Sequence, residues 1–182
     1  MIIKKLGSGA LSIKPKINKD DRGSFFELYN KESFLKSGLD LNFNQDNMSF
    51  SKLKNTIRGL HCQKYPYEQS KFVYLIAGSI IDFFIDIRKD SKNFGKSYSL
   101  KLSNYGDGVF IPSGFLHGYC TLEDNTIIGY KVDEFYNSKN EIGLIWNDPV
   151  VDVQWPFDNP PIVSEKDSNL FTWDYFKKEM GL

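Results

Sequence analysis

With 182 residues, 41% of them apolar, the chain has material for one domain with a sizeable core and little for a second. Its 23 Lys+Arg balance 23 Asp+Glu, and no basic cluster exceeds a pair, so no overall field draws it to nucleic acid or anionic lipid. No stretch nears the roughly 20 apolar residues that cross a bilayer, so a membrane partner is not expected either.

Residues 1–7 carry no apolar signal-peptide run. Two cysteines, Cys62 and Cys120, are too few for a disulfide framework and too far apart for a CxxC site, which fits a reduced, cytoplasmic compartment. Residues 1–43 read as an N-terminal arm with a short helix over 31–37. From 44 to 146, short β-rich runs separated by turn residues dominate. The run 71–76 is followed by the turn signal Ala77-Gly78-Ser79 and then by 80–88. There Ile81, Phe83, Ile85 and Ile87 alternate with Asp82, Phe84 and Asp86, the period of a strand. Further strands are expected over 98–102, 108–111, 118–122 and 126–132. Residues 147–182 read as a C-terminal arm with a helix over 170–180. Regular strand spacing with Gly and Pro punctuation predicts a mainly β sandwich or barrel, one domain over 1–182.

The chain has two histidines, in Arg58-Gly59-Leu60-His61 and in Pro112-Ser113-Gly114-Phe115-Leu116-His117-Gly118. One histidine is more often a packed structural ring than a functional one. Two in a histidine-poor chain, both beside glycine and read as strand ends near turns, mark a candidate site. HxH, HxxH and HxxxH spacings are absent, so no metal is expected. Cys62 follows His61 directly and should point to the opposite strand face, which makes it a core residue and not a partner. GxSxG, GxGxxG and GxxxxGK[ST] are also absent. What remains is acid–base chemistry without a cofactor. His61, Lys71, Tyr130 with Lys131, and several carboxylates are available for it, an imidazole being the natural base at neutral pH. The residues alone reach a β-barrel with an acid–base site.

A series of motifs extends this reading. They are Asp21-Arg22-Gly23-Ser24-Phe25-Phe26-Glu27, Gln45-Asp46-Asn47, Ile57-Arg58-Gly59-Leu60-His61-Cys62-Gln63, Lys71-Phe72-Val73 and Asp86-Ile87-Arg88. Ile111-Pro112-Ser113-Gly114-Phe115-Leu116-His117-Gly118, Tyr130-Lys131, Trp146-Asn147-Asp148-Pro149 and Ser164-Glu165-Lys166-Asp167 follow. In this order, from about 21 to 167, they resemble the dTDP-4-dehydrorhamnose 3,5-epimerase family. The resemblance implies a cupin-type double-stranded β-helix (jelly-roll) barrel with short terminal helices, no cofactor, and a nucleotide-linked 4-keto-6-deoxy sugar as substrate. It implies His61 as the base, oriented by Asp167, with Tyr130 as the acid on the opposite face and Lys71 on the C4 oxygen. His117 and Asp82 would support the site, Tyr136 would meet the substrate, and Arg22, Glu27, Gln45, Asn47 and Arg58 would grip the nucleotide diphosphate. A homodimer, with N-terminal strands exchanged, and a surface-polysaccharide pathway come with the family.

The sequence departs from the family pattern in three places. Ser103-Asn104-Tyr105-Gly106-Asp107-Gly108 is short and lacks the usual basic stretch, Met48 replaces a frequent histidine, and Phe135-Tyr136 replaces paired tyrosines. These bear on the carrier and the sugar, so a GDP-linked 4-keto-heptose 3- or 3,5-epimerase is the alternative within enzymes. A non-catalytic sugar-nucleotide-binding barrel is the alternative outside them, and a metal-dependent cupin oxygenase is disfavoured by the histidine count.

Overall fold

The computed structural model describes residues 1–151, 153–157 and 159–182. Among these, thirteen strands and three helices follow in chain order. The strands are β1 (Ile2–Gly7), β2 (Ala10–Lys14), β3 (Ile17–Asp20), β4 (Gly23–Phe26), β5 (Gln45–Ser51), β6 (Ile57–Gln63), β7 (Lys71–Ala77) and β8 (Ile80–Asp86). They continue with β9 (Ser97–Leu102), β10 (Gly108–Ile111), β11 (Phe115–Thr121), β12 (Thr126–Val132) and β13 (Glu141–Gly143). The helices are α1 (Lys31–Lys36), α2 (Glu165–Ser168) and α3 (Trp173–Met180).

A six-stranded antiparallel sheet runs β1-β2-β10-β7-β12-β5, and a five-stranded one runs β13-β6-β11-β8-β9. From β5 to β13 the chain crosses from one sheet to the other at almost every step, which is the winding of a cupin-type jelly-roll barrel. Both faces of each sheet find apolar cover. Between the sheets lie Val73, Leu75, Ile80, Phe84, Leu102, Val109, Phe115 and Ile128. The outer face of the five-stranded sheet packs Phe83, Ile85 and Ile87 under Leu144, Trp155, Trp173 and Phe176 from the C-terminal segment. The outer face of the six-stranded sheet packs Phe72, Tyr74 and Phe110 under Phe34 of α1, with Leu28, Tyr29 and Phe43. The alternation read in β8 thus divides its residues between two cores, with Asp82 and Asp86 on the barrel side.

Two expectations need correction. The N-terminal segment is not wholly an arm. Gly7-Ser8-Gly9 makes a hairpin turn, with Ser8 and Gly9 at φ 50° and 91°, and β2 joins the six-stranded sheet through pairs such as Leu11 with Phe110. Only the β3–β4 hairpin stands apart, as a small two-stranded sheet of exposed residues. The second correction concerns the histidines, which lie inside β6 and β11 and not at strand ends, as register partners facing one another. Their flanking glycines serve close approach and not a turn: Gly59 has φ +116°, and a Cβ there would sit 2.6 Å from Gly118 Cα.

Candidate active site

Residues facing inward from both sheets enclose a cavity of about 310 Å³. Its walls include Arg58 and His61 from β6, His117 and Tyr119 from β11, Lys71 from β7, Tyr130 from β12 and Ser49 from β5. Ser164, Lys166 and Asp167 close it from the α2 region. That size is within the range of small-molecule sites.

His61 is held by a buried carboxylate. Its Nε2 lies 2.9 Å from Asp167 Oδ1, while Asp167 Oδ2 accepts the Gly59 N–H at 3.1 Å. Asp167 is held by α2, whose N-cap Ser164 accepts from the Asp167 N–H at 3.1 Å. Burial pushes the Asp167 carboxyl up, but its bonds from His61, Gly59 and Ser164 outweigh this and hold it below the ordinary carboxylate value. An ionised carboxylate only accepts, so Nε2 of His61 carries the shared hydrogen and a neutral ring keeps its lone pair on Nδ1. Glu141 Oε1 of β13 lies 3.9 Å from that Nδ1. Room for the ring comes from Gly143, where a Cβ would meet His61 Cδ2 at 2.9 Å.

His117 has its own carboxylate, its Nε2 lying 2.9 Å from Asp82 Oδ2. Asp82 is fully buried and its Oδ1 has no hydrogen-bond partner among the described residues. Burial raises its pKa, and His117 and Lys71 offset that only in part. Lys71 opens β7 with no ion pair to its ammonium among the described residues. Its buried setting lowers the ammonium pKa despite the carboxylates of Glu141 and Asp82 nearby. Tyr130 likewise lines the cavity with no hydrogen-bond partner for its phenol among the described residues, and burial raises that phenol's pKa.

The other expected residues fall into two groups. Arg58 reaches Ser51 Oγ at 3.3 Å and the Phe50 carbonyl at 3.1 Å, which fixes its guanidinium at the cavity wall. Gln45 donates to Asn47 Oδ1 at 2.7 Å and accepts the Tyr136 N–H at 3.0 Å, and Asn47 donates to the Tyr130 carbonyl at 3.4 Å. Tyr136 donates to Glu141 Oε2 at 2.9 Å. Arg58 thus lines the cavity with His61, and the others connect to it through Tyr130 and through Glu141. Arg22 and Glu27 do not. Arg22 pairs with Asp20 at 2.6 Å on an exposed hairpin, and Glu27 accepts from Asn30.

Sequence reasoning missed Ser49, Tyr119, Glu141, Ser164 and Lys166. Glu141 takes hydrogen bonds from both Tyr136 and Lys166, and although burial works the other way, these hold its carboxyl below the ordinary value. The Ser-x-x-Asp spacing of Ser164 and Asp167 is a helix N-cap signal that would have placed Ser164. Nothing comparable marks Tyr119 or Glu141.

Cys62 faces the outer core, and burial pushes its thiol up to about 12. No group of three or more His, Cys, Asp or Glu among the described residues is arranged to hold a metal ion.

The family model described as dTDP-4-dehydrorhamnose 3,5-epimerase matches residues 7–174. A Shigella flexneri protein named dTDP-4-dehydrorhamnose 3,5-epimerase is 39% identical over 180 residues, 96% of this chain and 98% of its own length. The structure of the Bacillus anthracis enzyme of the same name, with TDP and pyrophosphate bound, superposes with a TM-score of 0.89 at 39% identity. It covers 94% of this chain and 99% of its own. A Legionella pneumophila dTDP-6-deoxy-D-glucose-3,5-epimerase in complex with dTDP-4-keto-L-rhamnose gives 0.92 at 32% identity, covering 99% and 96%.

Proposed function

Because the chain belongs to the dTDP-4-dehydrorhamnose 3,5-epimerase family, we propose that it inverts C3 and C5 of dTDP-4-dehydro-6-deoxy-D-glucose to give dTDP-4-dehydro-L-rhamnose. One observation carries this reading. A single cavity holds an imidazole seated on a buried carboxylate, with an ammonium that has no ion pair and a phenol that has no hydrogen-bond partner among the described residues.

The C4 ketone acidifies the hydrogens on C3 and C5. His61 Nδ1 removes one, and the electron pair left on carbon moves through the C–C bond to the C4 oxygen as an enolate. Asp167 fixes the ring and its tautomer, and stabilises the imidazolium that forms. Lys71, with no ion pair among the described residues, meets the enolate oxygen, and a preorganised charge of this kind lowers a barrier by several kcal/mol. Tyr130 then protonates the carbon from the opposite face, which inverts it. The proton on His61 leaves to solvent and the tyrosinate takes one back. His117, set by Asp82, supports the same oxygen region.

Arg58, with Gln45, Asn47 and Tyr136 at one end of the site, serves the nucleotide diphosphate, guanidinium being suited to phosphate oxygens. Arg22 and Glu27 serve it from a partner subunit, in a homodimer that exchanges its N-terminal strands. The detached, exposed β3–β4 hairpin supports this arrangement. The whole chain works as one domain in the cytoplasm, consistent with two unpaired buried cysteines and with no helix of the described residues being long and apolar enough to cross a membrane. The dTDP-linked names of the relatives favour this carrier over GDP.

Solvent deuterium incorporation across dTDP- and GDP-linked 4-keto sugars tests the proposal. Exchange at both C3 and C5 of the dTDP-hexose is expected. Exchange confined to a GDP-linked heptose would transfer the reading to that substrate, and none with any sugar would refute it.

A further inference from the structure

The epimerase mechanism leaves one polar feature of the cavity without work. Tyr119 is only 5% exposed, yet it lines the cavity, and its hydroxyl lies 2.9 Å from Ser49 Oγ. That contact joins β11 of one sheet to β5 of the other. Tyr119 lies two residues beyond His117, on the same strand face, and is the register partner of Arg58 and of Asp82.

The β5 strand shows what this floor is built for. It turns Gln45, Asn47, Ser49 and Ser51 inward and leaves Met48 and Phe50 70% and 51% exposed. A strand that served only a core would have the opposite pattern. A hydrogen count points the same way. Tyr119 and Ser49 share one contact and carry two hydroxyl hydrogens. One hydroxyl hydrogen therefore lacks an acceptor among the described residues, beside a cavity that Ser49 and Tyr119 line.

We propose that the Tyr119–Ser49 pair binds the C2 hydroxyl of the hexose and is a specificity-determining element of the site. This rests on the epimerase reading for the identity of the sugar. A group that both gives and accepts matches a hydroxyl pair better than a phosphate oxygen, which only accepts and is served by Arg58. In the 4-keto-6-deoxyhexose, C1 carries the diphosphate, C4 is a ketone, C6 is a methyl group, and C3 and C5 change configuration. The C2 hydroxyl is thus the one hydroxyl on a carbon that never reacts. A grip there holds the ring in place through both inversions. Its neighbour C1 bears the phosphate, which agrees with the register pairing of Tyr119 and Arg58.

The test is a binding cycle that needs no turnover. Calorimetry gives the Kd of dTDP-glucose, dTDP-2-deoxyglucose and dTDP for the wild type, Tyr119→Phe and Ser49→Ala. The wild type is expected to prefer the 2-hydroxyl ligand by about tenfold, the scale of one net hydrogen bond. Both variants should lose that preference while dTDP affinity is unchanged. A preference that survives in both variants, or is absent from the wild type, overturns the inference, as does a variant that lowers thermal stability and nothing else. Because these ligands do not react, the outcome is independent of the deuterium experiment, and failure of the epimerase reading would show only there.

Discussion

Replacing Asp167 by Asn changes one atom type and sets two hydrogen bonds against each other. The carboxylate accepts from His61 Nε2 through Oδ1 at 2.9 Å and from the Gly59 N–H through Oδ2 at 3.1 Å. An amide offers one oxygen. If that oxygen stays with Gly59, the NH2 faces Nε2 and demands an acceptor there, which forces the hydrogen onto Nδ1 and removes the lone pair that acts as base. If the amide turns round, its NH2 opposes the Gly59 N–H. Loss of a charge-assisted hydrogen bond costs about 1.5–3 kcal/mol, which at 1.36 kcal/mol per decade is about 10- to 150-fold in rate. The wrong tautomer adds to this, and a carboxylate-to-amide change behind a catalytic histidine in serine proteases lowers kcat by about 10⁴-fold. Asp167→Asn is therefore expected to lower the C3 and C5 deuterium exchange rates by about 10²- to 10⁴-fold, measured by mass spectrometry or NMR under single-turnover conditions. The variant should also lose a pH dependence of stability. The native carboxyl is held below its unfolded value, so its contribution is full above the unfolded pKa and fades as pH falls through the folded one. Denaturant melts at neutral and acid pH should converge for the two proteins on the acid side. Exchange within about threefold of wild type would refute the argument, since the tautomer would then not matter.

Tyr130→Phe removes the opposite-face donor but not the base, so solvent exchange should persist while net inversion falls. Equal loss of both would count against this division of roles. Lys71→Met should lower kcat by about 10²–10³-fold, as loss of one preorganised donor does. Because burial lowers the Lys71 pKa, the unfolded chain binds the proton more tightly, and stability rises with pH through that window. The Met variant should accordingly melt at a higher temperature than wild type at neutral pH, and the gap should close at alkaline pH; a lower Tm at neutral pH would contradict this. Gly59→Ala places a Cβ 2.6 Å from Gly118 Cα at φ +116°, and the backbone strain alone costs about 1–3 kcal/mol. Urea denaturation should show at least that loss, and a neutral result would mean that β6 and β11 can separate freely.

The barrel was legible because alternation in some strands and Gly or Pro punctuation around others mark them off. The residues of β8 divide between two cores as their alternation predicts, and the strands over Gly108–Ile111 and Thr126–Val132 have the expected bounds. The β1–β2 hairpin was missed although Gly7-Ser8-Gly9 is a turn signal between two short β-rich runs. Helix α2 has four residues, too few for any helical period to appear. The site was legible in part. His61 and His117 were singled out by their rarity, but the register that sets them opposite each other joins strands 56 residues apart and is written in no local pattern. The same holds for Asp167, which is 106 residues from His61 and was reached through family resemblance. Tyr119 looks like one more core aromatic until its hydroxyl is seen against Ser49.

The proposed epimerisation depends on His61 as the group that takes the carbon-bound hydrogen. Incubating His61→Ala with dTDP-4-dehydro-6-deoxy-D-glucose in D2O, beside the wild type, measures this directly. Deuterium should enter C3 and C5 with the wild type and enter neither with the variant, while dTDP binds both. Undiminished incorporation by the variant would show that another residue is the base.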